Sequence, residues 1–137
     1  MALQLNQVFI NLPVKDLNKS MAFYKEIGFE FNAQFTNEDA ACLVISEHIF
    51  AMLQTEDHFK GFTNKEIPDT TTQAQMILAF SATSKEQVDD IVNRAMAAGA
   101  SKYNDPQDHG FMYAWSFQDL DGHLWEVLYM DPSNLEQ

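Results

Sequence analysis

The sequence has few basic residues, a single cysteine and no long hydrophobic stretch, and each shortage excludes a class of protein. Cys42 has no second cysteine in the chain, which excludes an intramolecular disulfide and a cluster of thiolate metal ligands. Eight lysine and arginine residues stand against 20 acidic residues, and the net charge is −12. Nucleic acids and anionic membrane surfaces both bind concentrated positive charge, so we expect neither as a partner.

No segment reaches the roughly 18 to 20 consecutive apolar residues that a membrane-spanning helix needs. Residues 1–13 also lack the basic region and the long apolar stretch of a secretory signal. We therefore expect a cytoplasmic protein.

The content of hydrophobic residues, 46%, and of aromatic residues, 12%, is sufficient for a buried core in a chain of 137 residues. This length predicts one domain over residues 1–137. Within it we predict a first module at about 5–54, a polar connector at 55–72 and a second module at about 73–131. The polar tail from Asp131 to the end is predicted to be solvated.

Two amphipathic helices are predicted from the spacing of apolar residues and from their end signals. The first has Asp16 at its N-cap and Gly28 after its last turn. The second has Ser84 and Gln87 at capping-box spacing and ends near Gly99. Each helix should cover one face of a sheet.

Short apolar segments typical of strands surround both helices. Around the first helix they are Val8–Val14, Phe29–Phe35, Cys42–Ser46 and Ile49–Gln54, and around the second they are Met76–Ala82, Phe111–Gln118 and Leu124–Tyr129, with a weaker segment at Lys102–Asn104. The order strand, helix, three strands therefore occurs twice. A short helical turn is predicted in the connector, around Glu56–Lys60. This order predicts the α+β class, with two βαβββ modules forming an eight-stranded curved mixed sheet and the helices outside. We call the concave interior of that sheet the cup.

Three passages resemble the vicinal oxygen chelate superfamily, which includes glyoxalase I, bleomycin resistance proteins and extradiol dioxygenases. They are FINLPVKDLNKSMAFYKEIGF, AACLVISEHIFAMLQTE and SFQDLDGHLWEVLYMDP. The last contains D-x-D-G before a strand that carries a glutamate, and it is the most specific of the three. The resemblance covers essentially the whole chain and implies the two-module fold. It also implies a homodimer.

The resemblance further implies a divalent metal ion inside the cup, held by one side chain from each of four strands. The matching positions here are Phe9, Met52, Gln75 and Glu126. Only Glu126 is an ordinary metal ligand, because a phenyl ring and a thioether do not bind hard cations and Gln75 offers one neutral oxygen. We therefore expect no metal and no other cofactor, although a divalent ion at a non-standard site stays open.

Alternation along the strands assigns the remaining residues that should line the cup with these positions. The predicted ligand pocket comprises Phe9, Asn11, Phe50, Met52, Gln54, Gln75, Ile77, Leu124 and Leu128. Mostly apolar walls with a few polar groups are typical of small-molecule sites. The other interpretation is that the apolar members simply fill a core.

Two functional hypotheses remain open. The first is a protein similar to glyoxalases and bleomycin resistance proteins that binds a small organic molecule in the cup without metal. The second is a diverged enzyme, a lyase, isomerase or dioxygenase, in which Glu126 is catalytic as a general acid or base. Phe111, Tyr113 and Trp115 form an alternating aromatic face, which is predicted to be core, with stacking on a ligand as the alternative.

Overall fold

A computed structural model describes residues 2–132, in which a βαβββ module is followed, as predicted, by a second module that begins with a strand and a helix but has four further strands instead of three. The chain separates between Pro68 and Asp69, within the predicted connector, into two units, each with its own sheet. Most of the predicted solvated tail, residues 133–137, lies outside the described residues. Within residues 2–132, no helix is long and apolar enough to cross a membrane. The α+β class is confirmed, but the described residues form nine strands in two sheets, whereas eight strands in one sheet were predicted.

The first unit contains a four-stranded sheet in the order β1-β4-β3-β2. Strand β1 runs parallel to β4, and the other neighbours are antiparallel. The bounds are β1 (Val8–Val14), α1 (Leu17–Ile27), β2 (Glu30–Asn32), β3 (Ala40–Val44), β4 (Ile49–Thr55) and α2 (Glu56–Phe59), the last being the helical turn predicted in the connector.

The caps of α1 are those predicted. The Asp16 side chain accepts a hydrogen bond from the Lys19 backbone N–H at 3.1 Å, which satisfies one of the free donors of the first turn. At the other end Gly28 adopts φ +124°, and its N–H donates to the carbonyls of Tyr24 and Lys25. The side of α1 that meets the sheet buries Leu17, Phe23, Tyr24 and Ile27.

The second unit contains a five-stranded sheet in the order β5-β9-β8-β6, with a short strand β7 that also pairs with β8. Strand β5 is parallel to β9, and the other pairs are antiparallel. The bounds are β5 (Ile77–Ser81), α3 (Lys85–Ala97), β6 (Ser101–Lys102), β7 (Gln107–Asp108), β8 (Met112–Gln118) and β9 (Leu124–Met130).

Helix α3 begins with a variant of the predicted capping box. The Ser84 hydroxyl accepts from the Gln87 N–H at 3.0 Å, as the motif requires. The Gln87 side chain, however, accepts from the backbone N–H and the hydroxyl of Thr83, at 2.7 and 2.9 Å, rather than from Ser84. The motif therefore predicted the position where the helix begins but not the partner of its glutamine.

Several strand bounds differ from those predicted. Strand β3 begins at Ala40, two residues before Cys42, because Ala40 and Ala41 pair with β4 and are buried. Strand β5 begins at Ile77, where pairing with β9 begins. Strand β7 lies in a polar segment with no apolar alternation, and it is held by pairing with β8.

The D-x-D-G segment forms the turn between β8 and β9, which we call the closing turn (residues 119–122). Its first residue, Asp119, is 4% exposed and accepts hydrogen bonds from the backbone N–H groups of Asp121 and His123 at 3.0 and 2.9 Å. The second carboxylate oxygen accepts from the Trp125 indole at 3.2 Å. The motif that carries the most specific part of the resemblance therefore organises this turn.

Candidate functional site

The face of the first sheet that does not pack against α1 carries the predicted pocket residues of the first module, and we call it the first distal face. Lys25 of α1 lies 6.0 Å from the centre of the Phe31 ring, which identifies the side of the sheet that faces the helix. Alternation and register then assign the other side. Its strand residues are Phe9, Asn11, Pro13, Glu30, Asn32, Ala40, Cys42, Val44, Phe50, Met52 and Gln54.

One end of the first distal face carries an aromatic pair. Phe9 of β1 and Phe50 of β4 are paired in register, and their rings stack with centroids 5.0 Å apart and planes inclined by 12°. Phe9 is 51% exposed, and Phe50 is partly buried. A large ring left half in water on a strand is an apolar surface that a ligand could cover.

The opposite end of the same face carries an amide pair. The Gln54 Nε2 group donates to Asn11 Oδ1 at 2.6 Å, and the Asn11 Nδ2 group donates to the backbone carbonyl of Phe9 at 3.2 Å. Gln54 is 4% exposed, whereas Asn11 is exposed. The Gln54 Oε1 atom is buried and has no hydrogen-bond partner among the described residues.

Met52 lies between Phe50 and Gln54 on β4, opposite Asn11 on β1 and Cys42 on β3. Cys42 is buried, and burial raises the pKa of its thiol. This cysteine was not predicted to share a face with the pocket residues, because its face follows from the register that places it opposite Met52, and spacing along β3 does not show that register. The five pocket residues predicted in the first module thus share one face, and Cys42 joins them.

The second sheet has an equivalent face on the side away from α3, which we call the second distal face. Tyr113 of β8 donates a hydrogen bond to Asp89 of α3 at 2.5 Å, so its side of the sheet faces that helix. The alternate residues therefore point the other way. Glu126, Leu124 and Leu128 of β9 lie there with Ile77 of β5, as alternation predicted.

Glu126 is partly buried on this face, and its register neighbours are Ala79 of β5 and Ser116 of β8. The Ser116 hydroxyl is 4% exposed and donates to Asn104 Oδ1 at 2.7 Å. The backbone carbonyl of Asn104 also accepts from the Trp115 indole at 3.0 Å. Asn104 therefore orients the hydroxyl beside the carboxylate. Sequence reasoning missed Asn104 because it lies in a loop without a motif.

Gln75 does not belong to this face in the way predicted. It lies in an exposed bend two residues before β5, and strand alternation does not apply to it. The residues just before Ile77 pair with no strand in the described part of the chain, so β5 begins one residue later than the predicted Met76.

The predicted aromatic face of β8 is the side that meets α3. Beyond the Tyr113–Asp89 bond, the Lys85 ammonium lies 5.8 Å from the Tyr113 ring centre, and Phe117 stacks on Trp125 with centroids 6.2 Å apart. The hydrogen bond to Asp89 raises the pKa of Tyr113 to about 12. Tyr113 and Trp115 are only partly buried, whereas Phe117 and Trp125 are buried in the core. Phe111 precedes β8 and is 48% exposed.

The four side chains at the family's metal positions do not fit a divalent ion. In the first unit, Phe9 offers no donor atom and is stacked on Phe50, and Met52 offers only a thioether. In the second unit, Glu126 is a carboxylate, but Gln75 lies outside the strand. Among residues 2–132, no group of three or more His, Cys, Asp or Glu side chains is arranged to hold a metal ion.

Comparisons with known proteins agree with this architecture. Residues 4–127 match the sequence model of the Glyoxalase/Bleomycin resistance protein/Dioxygenase superfamily, which confirms the resemblance seen in the sequence. No curated protein sequence matches the chain.

Among solved structures, hypothetical protein SA1046 from S. aureus is 27% identical, with a TM-score of 0.77 over 92% of this chain and 95% of that chain. A glyoxalase-related enzyme from Fulvimarina pelagi is 22% identical, with a TM-score of 0.77 over 91% and 88%. The fosfomycin resistance protein FosX from Listeria monocytogenes is 25% identical, with a TM-score of 0.65 over 96% and 94%.

Proposed function

Because the chain belongs to the Glyoxalase/Bleomycin resistance protein/Dioxygenase superfamily, we propose that it binds a small organic molecule against the first distal face, without the divalent metal ion of the family's metal-dependent members. The observation that carries this proposal is the half-exposed Phe9–Phe50 stack beside the Asn11–Gln54 amide pair. Apolar surface with a few oriented polar groups is typical of small-molecule sites.

The charge of this face bears on the class of ligand. Within the described residues, none of its strand positions is lysine or arginine, and Glu30 adds a carboxylate. An anion would meet a negative protein without a local cation to bind it. Fosfomycin, which is named for one structural relative, is an anionic phosphonate. It therefore serves as a negative control for binding here.

The test of ligand binding uses the protein as purified. Native mass spectrometry of the wild type should detect a retained organic molecule. Phe9→Ala should lose it, because half of the aromatic stack is removed, and Phe62→Ala should keep it. Phe62 is a matched control, since it is an exposed phenylalanine in the same unit that follows α2 rather than lying on the sheet. Equal retention by both variants would contradict the proposed face.

A separate experiment tests the proposal that the protein binds no divalent metal ion. The protein is purified without chelator, its metal content is measured, and its melting temperature is followed with Mg, Mn, Fe, Co, Ni and Zn ions. An ion that binds the folded protein must raise the melting temperature by mass action. We expect no stoichiometric metal and no large rise. A bound metal, or a large rise with one ion that Glu126→Gln abolishes, would refute the metal-free proposal.

A second candidate function rests on Glu126. A partly buried carboxylate beside the oriented Ser116 hydroxyl has the chemistry of a general acid or base. This favours a diverged lyase, isomerase or dioxygenase as the alternative. The retained molecule is incubated with the protein in D2O, and deuterium uptake that Glu126→Gln abolishes would support catalysis. Retention of the molecule without deuterium uptake would favour the binding protein over proton-transfer catalysis.

A further inference from the structure

The hydrogen bonds of the amide pair leave the side-chain oxygen of Gln54 without a donor, because each amide has to turn its NH2 group toward an acceptor. The backbone carbonyl of Phe9 can only accept, so Asn11 must direct its Nδ2 group toward it, as observed at 3.2 Å. Asn11 Oδ1 is then an acceptor, and Gln54 must direct its own Nε2 group to it, as observed at 2.6 Å. The Gln54 Oε1 atom is consequently the one left over.

This leftover acceptor is shielded from solvent. Gln54 is 4% exposed, and its Oε1 atom has no hydrogen-bond partner among the described residues. A buried acceptor without a partner destabilises a folded protein, and nearly all such atoms in native proteins find a donor. A ligand on the first distal face that brings an N–H or O–H group would supply that donor.

The spacing along β4 gives the ligand a length. Phe50 and Gln54 are four residues apart on the same face, which corresponds to about 13 Å between their Cα atoms at the rise of an extended strand. The Gln54 side chain turns back to bond Asn11, opposite Met52, so its amide lies closer to the aromatic stack than this spacing. Met52 lies between them on β4, and Asn11 lies opposite Met52 on β1. A molecule that reaches both ends therefore needs an elongated apolar body with a polar group at one end only.

We propose that the molecule bound in the proposed function is an elongated aromatic compound, neutral or cationic, which covers the Phe9–Phe50 stack and donates a hydrogen bond to Gln54 Oε1. The inference rests on the proposed function and adds the ligand class to it. The donor follows from the unpaired oxygen, the length from the strand spacing, and the charge from the absence of strand lysine or arginine on the described part of this face.

Two probes that differ in one group provide the test. 4-Hydroxybiphenyl and 4-methylbiphenyl share the same aromatic body and nearly the same size, but only the first carries an O–H donor. Isothermal titration of the wild-type protein should give a Kd about tenfold lower for the hydroxyl compound, the ratio expected for one net hydrogen bond. Biphenyl-4-carboxylate, which is anionic, should bind more weakly than both.

The variants locate the discriminating atom. Gln54→Met keeps the side-chain length and removes the oxygen, so both probes should bind with similar Kd values. Gln107→Met is the matched control, because Gln107 is an exposed glutamine on β7 of the second unit, and it should keep the tenfold ratio. Melting temperatures of both variants establish that they are folded.

The outcomes separate this inference from the proposed function. Equal wild-type affinities for the two biphenyls, or a tenfold ratio that persists in Gln54→Met, would overturn the inference while the proposed function stands. Binding of neither probe would overturn the proposed function for aromatic ligands, and the inference with it. If Gln54→Met does not fold, the wild-type ratio alone decides.

Discussion

Replacing Gly122 by alanine tests how the connector is attached to the closing turn. Gly122 has φ +85°, and a Cβ atom there would lie 2.8 Å from the Thr70 carbonyl carbon and closer still to its oxygen. The Thr70 hydroxyl donates to the Asp121 carbonyl in the same turn. Gly110 has nearly the same φ, +83°, but no atom outside its chain neighbours lies within 4 Å of its Cβ position. Gly110→Ala is therefore the matched control.

The two variants should lose different amounts of folding stability, and the difference can be worked out from the structure. A residue with a Cβ held at positive φ costs about 1–2 kcal/mol, and both variants incur that cost. Gly122→Ala must also move Thr70 away from the turn. That movement costs about 1 kcal/mol for the lost hydrogen bond, or about 1–3 kcal/mol for the overpacked backbone. We expect a total of about 2–5 kcal/mol for Gly122→Ala against about 1–2 kcal/mol for Gly110→Ala.

Thermal unfolding followed by circular dichroism measures the difference. At this chain length 1 kcal/mol corresponds to a shift of roughly 3–4 °C, so Gly122→Ala should lower the melting temperature by roughly 6–20 °C and Gly110→Ala by roughly 3–8 °C. Equal melting temperatures for the two variants would refute the reasoning, because the close approach of Thr70 would then contribute nothing to stability.

Two further predictions concern the second unit. Asp119→Asn should destabilise the folded protein by about 2–4 kcal/mol, because the new amide NH2 group would face the Trp125 indole N–H in a buried turn. Thermal unfolding measures this, and Asp39→Asn, at an exposed position, is the control. The raised pKa of Tyr113, about 12 against 10.0, favours the neutral phenol in the folded state. The stability that this hydrogen bond contributes is therefore complete below about pH 10 and is lost between about pH 10 and 12. Ultraviolet titration should show that Asp89→Asn lowers the pKa of Tyr113.

Each of these predictions has a definite contrary result. If the melting temperature of Asp119→Asn lies within about 2 °C of that of the Asp39→Asn control, the Asp119 carboxylate is not needed to organise the closing turn. If one tyrosine of the wild type does not ionise well above the others, the hydrogen bond from Tyr113 to Asp89 does not perturb its pKa as described.

Much of the fold was predictable because its signals are local. Asp16 caps the beginning of α1 and Gly28 its end, through groups that bond within four residues of each end. Both residues can therefore be recognised in the sequence. Strand β1 has the predicted bounds, Val8–Val14, because its apolar alternation covers the whole strand. Strand β7 was missed because its two polar residues carry no pattern and depend on pairing with β8.

For the candidate site, the sequence predicted which face of the sheet its strand residues lie on, but not which side chains bond to each other. Alternation alone assigned Phe9, Phe50 and Gln54 to one face, and the register agrees. No rule of spacing predicts that Gln54 bonds Asn11, 43 positions earlier. The prediction that Gln75 lies on a strand was wrong for a similar reason, because β5 begins only where its residues pair with β9.

The amino-acid sequence was enough to predict two modules that each begin with a strand and a helix, the helix caps, the side of each strand on which the predicted pocket residues lie and the misfit of the four metal positions. These depend on the residue types and on contacts within a few positions along the chain. The aromatic stack, the amide pair with its unpaired oxygen and the contact of the connector with the closing turn arise only in the folded chain. Those features join residues about 40 to 50 positions apart, and only the packing of the strands and turns brings such residues together.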